Sequence, residues 1–450
     1  MIQTVRNAWA VPELRKKILF TVFALLIFRL GAAIPVPYIN STGLEQYLAG
    51  QSGTILGLMN AMSGSAFAMA TVFALSIQPY INSSIIIQLL TVAIPALERL
   101  AKEGGEEGRK KIASITRYAT VAIALLQGFG FYSLISSYGL VDGGTLPAFW
   151  VGLVIVLSFT AGSAFLMWLG EQINEFGIGN GISIILFAGI ISRMPQMVSD
   201  MITGVTYYNN PLTDDMKAAM GEAAVKQYEA LSLAPWMLPI IVIGALAMIV
   251  FIVFINNAER KIPVQYAKRV VGRKMYGGQS THIPMKVSMS GVMPVIFAQS
   301  IASLPATIGA FAGWTTKNSA MMRLFDTSKP FYSILYFFLI VGFSYFYASM
   351  SFNPVEVANN LKKNGGFIPG FRPGKPTADF ITKVLNKITM FGALYLSVIA
   401  ILPIITGNIF GYQSLAIGGT SIIIVVGVAL ETVKQLEAQM LMRHYKGFLE

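Results

Sequence analysis

Long apolar windows recur along the whole chain and are its strongest pattern. A helix rises about 1.5 Å per residue, so roughly 20 apolar residues span the hydrocarbon core of a bilayer. Windows of that length with few or no charges lie at 18–38, 71–94, 118–138, 148–170, 180–199, 234–257, 289–312, 330–352, 387–406 and 412–430. The pattern predicts an all-α polytopic membrane protein with ten transmembrane helices.

Breaker and capping residues predict where some of these helices end. The last two windows come from one uncharged run, 388–430, which we expect to form two helices joined by a tight turn. The breakers in that run are Pro403, Gly407, Asn408 and Gly411. The sequence GIGNG at 177–181 is too short for a nucleotide-binding loop and lacks its lysine. It is better explained as a helix cap that uses Asn180.

Composition agrees with the membrane class. Hydrophobic residues make up 54% of the chain, charged residues 12%, and the mean hydropathy is +0.63. The chain has no cysteine, which excludes disulfides, thiolate metal sites and a cysteine nucleophile. Arg29 interrupts the first apolar run and nine more windows follow, so we do not expect a cleaved signal peptide.

The uncharged stretch 46–97 is long enough for two spans, yet charge argues for only one. If 53–68 crossed the membrane, the basic N-terminus and the basic segment 95–117 would face opposite sides. The positive-inside rule favours placing both in the cytosol. We therefore expect 53–68 to enter and return as a short Gly/Ser-rich half-helix. Such a segment needs shielding from lipid, which implies a cavity.

With ten spans, lysine and arginine sort onto one side of the membrane. The predicted cytosolic segments, including both termini, hold 26 of the 33, whereas the predicted external segments 200–232 and 313–329 hold 5. The remaining two, Arg29 and Arg193, lie in or near spans. The net charge of +12 is thus mainly topological and does not require a nucleic-acid partner.

Ten spans divide into two sets of five. Because five is an odd number, the second set enters the membrane from the opposite side, so its topology is inverted. We therefore expect an N-terminal half at 1–199, an external hinge-side loop at 200–232 and a C-terminal half at 233–450. The second span of each half is polar and interrupted, with SIQPYINSS at 76–84 and SGVMPVIFAQSIAS at 290–303. Paired interruptions predict a site at the interface of the halves.

Chemistry is sparse inside the predicted spans. They contain no aspartate, and the two histidines, His282 and His444, fall in cytosolic segments. This disfavours a proton-coupled transporter, an intramembrane hydrolase and a metal site, and we assign no catalytic residue. Two classes of protein stay open at this point: a secondary transporter of a small apolar or zwitterionic solute, and a membrane scaffold.

Two predicted cytosolic loops, 258–288 and 353–387, are large and basic. Their charge has two explanations: orientation in the membrane, or docking of an acidic or RNA-bearing partner. In the second loop, Arg372 lies between two Pro/Gly pairs in PGFRPG. A stiff turn that presents one side chain favours docking.

Several motifs resemble the SecY family, the central subunits of the bacterial protein-conducting channel. They cover the chain in order: FRLGAAIPVPYI (28–39), QPYINSSIIIQLLT (78–91), KEGGEEGRKKI (102–112), GIGNGISI (177–184), YAKR, QSTHIP and MKVSMSGVMPVIFA (266–298), NPVEVANNLKKNGGFIPGFRPG (353–374), GGTSIIIVV (418–426) and MRHYKGFL (442–449). The resemblance implies a passive channel for unfolded polypeptides, powered by partners, and not an enzyme.

The resemblance also implies a pore with two seals. A ring of aliphatic side chains would close its waist, at Ile77, Ile81, Leu186, Ile296, Ile301 and Ile424. Leu186 replaces the more common isoleucine but keeps the apolar volume. The plug would be 53–68, including Gly57, Leu58, Met59, Ser63, Gly64 and Ser65. Many members carry an arginine shortly after the plug, where this chain has Met69.

A lateral gate and a docking surface complete the implied sites. The gate would be lined by Asn82, Ser83, Gln127 and Ser300, and it would open to signal sequences of nascent polypeptides. The ribosome or the SecA motor ATPase would dock at Arg260, Lys268, Arg269, Arg273 and Arg372. The resemblance further implies SecE-like and SecG-like small subunits, no cofactor, and a bacterial plasma membrane with both termini cytosolic.

Overall fold

The computed structural model describes most of the chain as helix. It covers residues 2–49, 55–211, 225, 232–266, 269–271, 274–276, 280–288, 291–312, 320–326, 329–410 and 414–446. The helices up to residue 209 are α1 (Ile2–Ala10), α2 (Pro12–Gly31), α3 (Ser41–Ala49), α4 (Ile55–Met62), α5 (Gln78–Ala93), α6 (Pro95–Lys102), α7 (Gly105–Ser137), α8 (Ala148–Phe176) and α9 (Gly181–Asn209).

The remaining elements mix long helices with short strands. The helices are α10 (Met237–Asn257), α11 (Met293–Phe311), α12 (Ala320–Leu324), α13 (Pro330–Ser351), α14 (Pro354–Lys363), α15 (Lys375–Phe410) and α16 (Ser414–Lys446). The strands are β1 (Glu259–Tyr266), β2 (Arg269–Val271), β3 (Lys274–Tyr276), β4 (Ser280–Lys286) and β5 (Gly366–Phe367).

Each of the ten apolar windows overlaps a helix of the structure. Within the described residues, six helices are long and apolar enough to cross a membrane, or seven when the bent pair α5–α6 counts as one span. The membrane class and the several apolar spans are therefore confirmed. The count of ten spans and the inverted halves stay predictions.

Local sequence explains where several helices begin. Proline occupies the first or second position of α2, α5, α6, α13 and α14, where its missing N–H costs nothing. Asn180 accepts hydrogen bonds from the backbone N–H groups of Ile182 and Ser183 at the start of α9. The predicted capping role of Asn180 is thus confirmed.

The window 71–94 is not one helix. Helix α5 begins only at Gln78 and has 16 residues, about 24 Å of rise. Residues 63–77 form consecutive turns in which Ser65, Ala70 and Ser76 adopt left-handed backbone angles. At the other end, the chain bends by 104° between α5 and α6 at Pro95. Three left-handed residues and a proline limit the helix more than its apolar composition indicated.

The irregular segment is joined to the end of the first span. Val72 N–H donates to the Ile34 carbonyl, and Val36 N–H donates to the Ala70 carbonyl. These bonds form a short antiparallel bridge at Pro35 and Thr71. Turns and a bridge together give this buried backbone hydrogen-bond partners without a helix.

The uncharged run 388–430 forms two helices, as predicted, but not with the predicted break. Helix α15 continues through Pro403 and Gly407 to Phe410, and α16 begins at Ser414. Proline and glycine are tolerated inside membrane helices because neighbouring groups satisfy the freed backbone. Of the predicted breakers, Gly411 lies outside the described residues.

The all-α prediction is wrong for the two large basic loops, 258–288 and 353–387. Strand β1 pairs antiparallel with β4, from Glu259 opposite Lys286 to Gln265 opposite Ser280, and β5 pairs with the other edge of β1. Strands β2 and β3 form a separate hairpin. The cause is a period-two pattern in β1, where Ile262 and Val264 are buried between exposed neighbours.

The two loops form one small folded unit, which we call the cytosolic domain after the side of the membrane that the sequence predicts for it. Its hydrophobic core combines side chains from β1, β4, α14, the segment after β5 and the first turns of α15: Ile262, Val264, Met285, Leu361, Ile368, Ile381 and Leu385. Helix α15 then continues into the central core, where Leu396, Ile399 and Ala400 are buried. One helix thus belongs to both cores.

Candidate functional site

The predicted ring residues meet in the central core. Ile77, Ile81, Leu186, Ile296 and Ile424 are each at most 2% exposed and belong to one hydrophobic cluster. Ile301 is only half-buried and packs against this cluster from its edge. The six side chains come from the start of α5 and from α9, α11 and α16. The structure therefore brings together residues that are up to 347 positions apart in the sequence.

The helix of the predicted plug contacts three of the helices that carry the ring residues. Helix α4 spans Ile55–Met62, shorter than the predicted 53–68, and it contacts α9, α11 and α16. Met62 belongs to the cluster that holds the ring residues. Its sulfur accepts hydrogen bonds from Gln78 Nε2 at 3.3 Å and from Gln299 Nε2 at 3.7 Å. One plug side chain thus contacts α5 and α11, the two polar helices that the repeat pattern paired.

The remaining predicted plug residues shape its end. Gly57 and Ser63 are buried, Met59 accepts a 3.9 Å bond from Thr307 Oγ1, and Gly64 and Ser65 have positive φ angles. The side chain of Leu58 lies outside the described residues. Ser63 Oγ accepts from Phe67 N–H. The small residues of this stretch therefore form a tight turn, and their small side chains also occupy little space.

Two contributors to the plug were not predicted from the sequence. Asn60 Oδ1 accepts a 3.0 Å bond from Ala68 N–H and so ties the helix to the turn that follows. Phe67 stacks on Phe131 of α7 with ring centroids 4.3 Å apart, and Phe131 in turn contacts Phe159 and Phe311. The sequence offered a sign of this contact for Phe67, because it is the one aromatic residue within 53–68.

The predicted gate residues lie on helices that contact one another, and none of their hydrogen bonds among the described residues crosses between helices. Helices α5, α7 and α11, which carry them, contact one another. Ser83 Oγ donates to Pro79 O in its own helix. Asn82 Oδ1, Gln127 Oε1 and Ser300 Oγ are buried and have no protein hydrogen-bond partner among the described residues. The seam is closed by packing and leaves three polar atoms unpaired.

The predicted docking residues are only partly described. Arg260 in β1 and Arg372 before α15 are exposed on the cytosolic domain. The backbone of Arg269 lies in β2, whereas Lys268 and Arg273 lie outside the described residues. Thr377 Oγ1 donates to the Arg372 carbonyl at 2.8 Å, which fixes the turn that carries this arginine. The structure thus places Arg260 and Arg372 on one folded unit.

Comparison with known proteins identifies the family to which the chain belongs. The SecY family model matches residues 71–433, which include the ring, the gate and the cytosolic domain. The chain belongs to the SecY family. It is 44% identical to protein translocase subunit SecY of Streptomyces coelicolor and 42% identical to that of Mycobacterium tuberculosis, each over the full length of both chains.

Solved structures share the fold. A protein-conducting channel aligns with a TM-score of 0.61 at 16% identity, over 97% of each chain. A SecY channel in which the plug domain stabilises the closed state and maintains a membrane seal aligns with 0.60 at 16% identity and the same coverage. Canine Sec61 in a ribosome–channel complex aligns with 0.57 at 15% identity, also over 97% of each chain. This SecY-family chain is a subunit of a protein-translocation channel.

Replacing Asn82 with leucine tests whether the gate seam leaves its amide oxygen unpaired. A buried, unpartnered polar group costs about 1–3 kcal/mol, so Asn82→Leu is expected to raise the free energy of unfolding by about 1 kcal/mol. Thermal unfolding of the purified chain in detergent measures the change. Ser83→Ala is the control, because it removes only a bond within α5 and is expected to change stability little. A loss of stability in Asn82→Leu would mean that the amide is partnered in the folded channel.

Proposed function

We propose that this chain forms the central pore of a Sec-type translocase, with ten spans in two inverted halves at 1–199 and 233–450 joined by the external loop 200–232. Unfolded secretory polypeptides cross through the pore, and membrane segments leave sideways into lipid. The observation that carries the proposal most directly is the cluster of ring residues from four separate helices, which the predicted plug covers. An apolar constriction of this kind suits a chain that must pass without specific bonds.

The ring is the first seal. Ile77, Ile81, Leu186, Ile296 and Ile424, with Ile301 at the edge, offer no polar group to a hydrated ion, so water and ions are excluded from the narrow apolar waist. A passing polypeptide only has to displace side chains, because dispersion contacts are individually weak. The seal therefore opens to any sequence and closes again behind it.

The plug at 53–68 is the second seal. Its helix rests on three of the elements that supply the ring, and Met62 joins it to both α5 and α11. If α5 and α11 separate when the gate opens, Gln78 and Gln299 no longer reach the same sulfur atom. Opening of the gate and release of the plug are thereby coupled.

The lateral gate lies between α5 and α7 on one side and α11 and α13 on the other, lined by Asn82, Ser83, Gln127 and Ser300. Its unpaired polar atoms lower the cost of separating the helices, because none of the hydrogen bonds that these four side chains make among the described residues crosses between helices. An apolar signal sequence replaces the lost packing with its own. The seam is therefore stable at rest and open to a hydrophobic ligand.

Partners supply the energy. The cytosolic domain presents Arg260 and Arg372 to a docking partner, and Lys268, Arg269 and Arg273 are further members of the docking set proposed from the sequence. The ribosome binds through RNA phosphate and the SecA motor through acidic side chains, both of which suit arginine. SecE-like and SecG-like subunits complete the channel in a bacterial plasma membrane, with both termini cytosolic and no cofactor.

Cross-linking of a trapped substrate tests the function. A photoreactive residue replaces Ile77 or Ile296, and a secretory chain is stalled during translocation in membrane vesicles. Both positions are expected to cross-link to the stalled chain, because the ring encircles it. The control is the same probe at Ile243, which is 66% exposed on α10 and faces lipid in the proposed channel. Equal cross-linking at all three positions, or none at the ring, would contradict the pore.

Removing the ring side chains tests the seal. Replacement of Ile77, Ile81, Ile296 and Ile424 by glycine is expected to raise the resting ion conductance in planar bilayers several-fold, because the waist becomes wide enough to hold water. Ile243→Gly is the matched control and should leave conductance at its original level. An unchanged conductance in the quadruple variant would rule out the ring as the seal.

Reversing one charge tests the docking surface. Arg372→Glu is expected to reduce SecA-driven export into vesicles by on the order of tenfold, because like charges then face each other at the contact. Lys329→Glu makes the same charge reversal in the external segment before α13 and should export normally. Normal export by Arg372→Glu would remove this residue from the docking surface.

A further inference from the structure

Arg29 is a charge inside the first apolar window, and neither the ring nor the gate accounts for it. It lies two residues before Gly31, the C-terminal end of α2, between exposed apolar side chains such as Leu26 and Leu30. An arginine near the end of a membrane helix commonly extends its side chain to the nearest interface. Here the guanidinium turns instead toward other parts of the protein.

The Arg29 side chain binds two separate elements. Its Nη1 donates to the carbonyl of Gly64, in the turn after α4, and to Ser192 Oγ of α9, each at 3.2 Å. Ser192 Oγ in turn donates to the Gly189 carbonyl at 2.7 Å, which leaves an oxygen lone pair for the arginine. One side chain therefore links α2, the predicted plug and α9.

The plug turn lies directly against α9 at this point. A Cβ atom on Gly64 would lie 2.5 Å from Ser192 Oγ and 2.8 Å from the Gly189 carbonyl oxygen. A Cβ on Gly189 would lie 2.5 Å from the Met62 carbonyl oxygen. Gly64 also has φ +67°, a left-handed angle that glycine adopts without strain. The two glycines thus allow the backbones of the plug turn and α9 to approach closely. We call this close-packed position of the turn its closed seat.

Electrostatics favour a cation at this seat. Gly64 follows the last turn of α4, whose terminal carbonyl groups form the negative end of the helix dipole. A hydrogen bond from a charged donor is about twice as strong as a neutral one. The bond to Gly64 goes to a backbone carbonyl, so it depends on the position of the turn and not on its side chains.

We propose that Arg29 is a positioning residue that holds the plug in its closed seat. This role rests on the proposed function of 53–68 as a plug. Because Arg29 also binds Ser192, α2 and α9 stay linked when the plug leaves. The guanidinium then remains in place to accept the Gly64 carbonyl when the plug returns.

Labelling of one introduced cysteine measures how often the plug leaves its seat. The chain has no cysteine, so Ala61→Cys in α4 provides a single reactive thiol at a residue that is 5% exposed in the closed channel. A membrane-impermeant maleimide is applied to the external side of proteoliposomes. Adding Arg29→Leu is expected to raise the labelling rate by on the order of tenfold, from loss of a charge-assisted hydrogen bond. Arg29→Lys, which keeps the charge but loses the planar fork, should give a smaller increase.

The control is Arg323→Leu, which removes an exposed arginine of α12 and should leave the labelling rate unchanged. An unchanged rate in Arg29→Leu, or an equal rise in Arg323→Leu, would overturn the proposal. If Arg29→Leu does not fold, Arg29→Gln keeps an amide donor without the charge and carries the same expected direction. Translocation of a secretory precursor distinguishes failure of the Arg29 proposal from failure of the proposed function. It is measured in proteoliposomes that also contain the SecE-like and SecG-like subunits and that receive SecA and ATP. Translocation with unchanged labelling rejects the role of Arg29 alone, whereas absence of translocation by the unsubstituted chain rejects the proposed function.

Discussion

The structure depends on how the buried backbone of residues 63–77 finds hydrogen-bond partners. This segment is not helical, and an unpaired peptide group away from water is costly. It is supplied by turn bonds such as Thr71 N–H to Ala66 O and by the bridge to Ile34 and Val36. Because these bonds are local, α5 can begin late, at Gln78, and place Ile77 and Ile81 at the centre of the core. The positions of helix α4, which precedes this segment, and of Ile77 and Ile81 at and after its end both follow from this arrangement.

In the proposed channel, most of the contacts that close the pore are non-specific, while those that position the proposed plug are specific. The ring closes by apolar packing, which any translocating chain can replace. The plug is held by directed contacts: the Met62 sulfur, the Phe67–Phe131 stack and the Arg29 guanidinium. This division suits a channel that must accept many sequences and return to one closed state.

The sequence was informative where one property repeats over many residues. The apolar windows all overlap helices, since about 20 residues of hydrophobic composition leave few alternatives. It was less informative where a single backbone angle or a distant contact decides the outcome, as at Ser76, which delays α5, or at Arg29, whose partners lie 35 and 163 positions away. The β1–β4 sheet was missed because its buried pair, Ile262 and Val264, stands among lysine, arginine and proline. The ring residues were assigned through family resemblance, because burial alone does not distinguish one isoleucine from another; the structure shows five of them buried in one cluster, and their role as a ring stays a prediction.

Helix α15 has a mechanical consequence. Its 36 residues, about 54 Å of rise, carry Ile381 and Leu385 in the core of the cytosolic domain and Ile399 in the central core. A helix is stiff over such a length, so the two cores cannot shift relative to each other without bending it. Pro403 lies beyond Ile399 and offers no hinge between them. In the proposed channel, a force that a docking partner exerts on the cytosolic domain is thus transmitted to the central core as a displacement of α15.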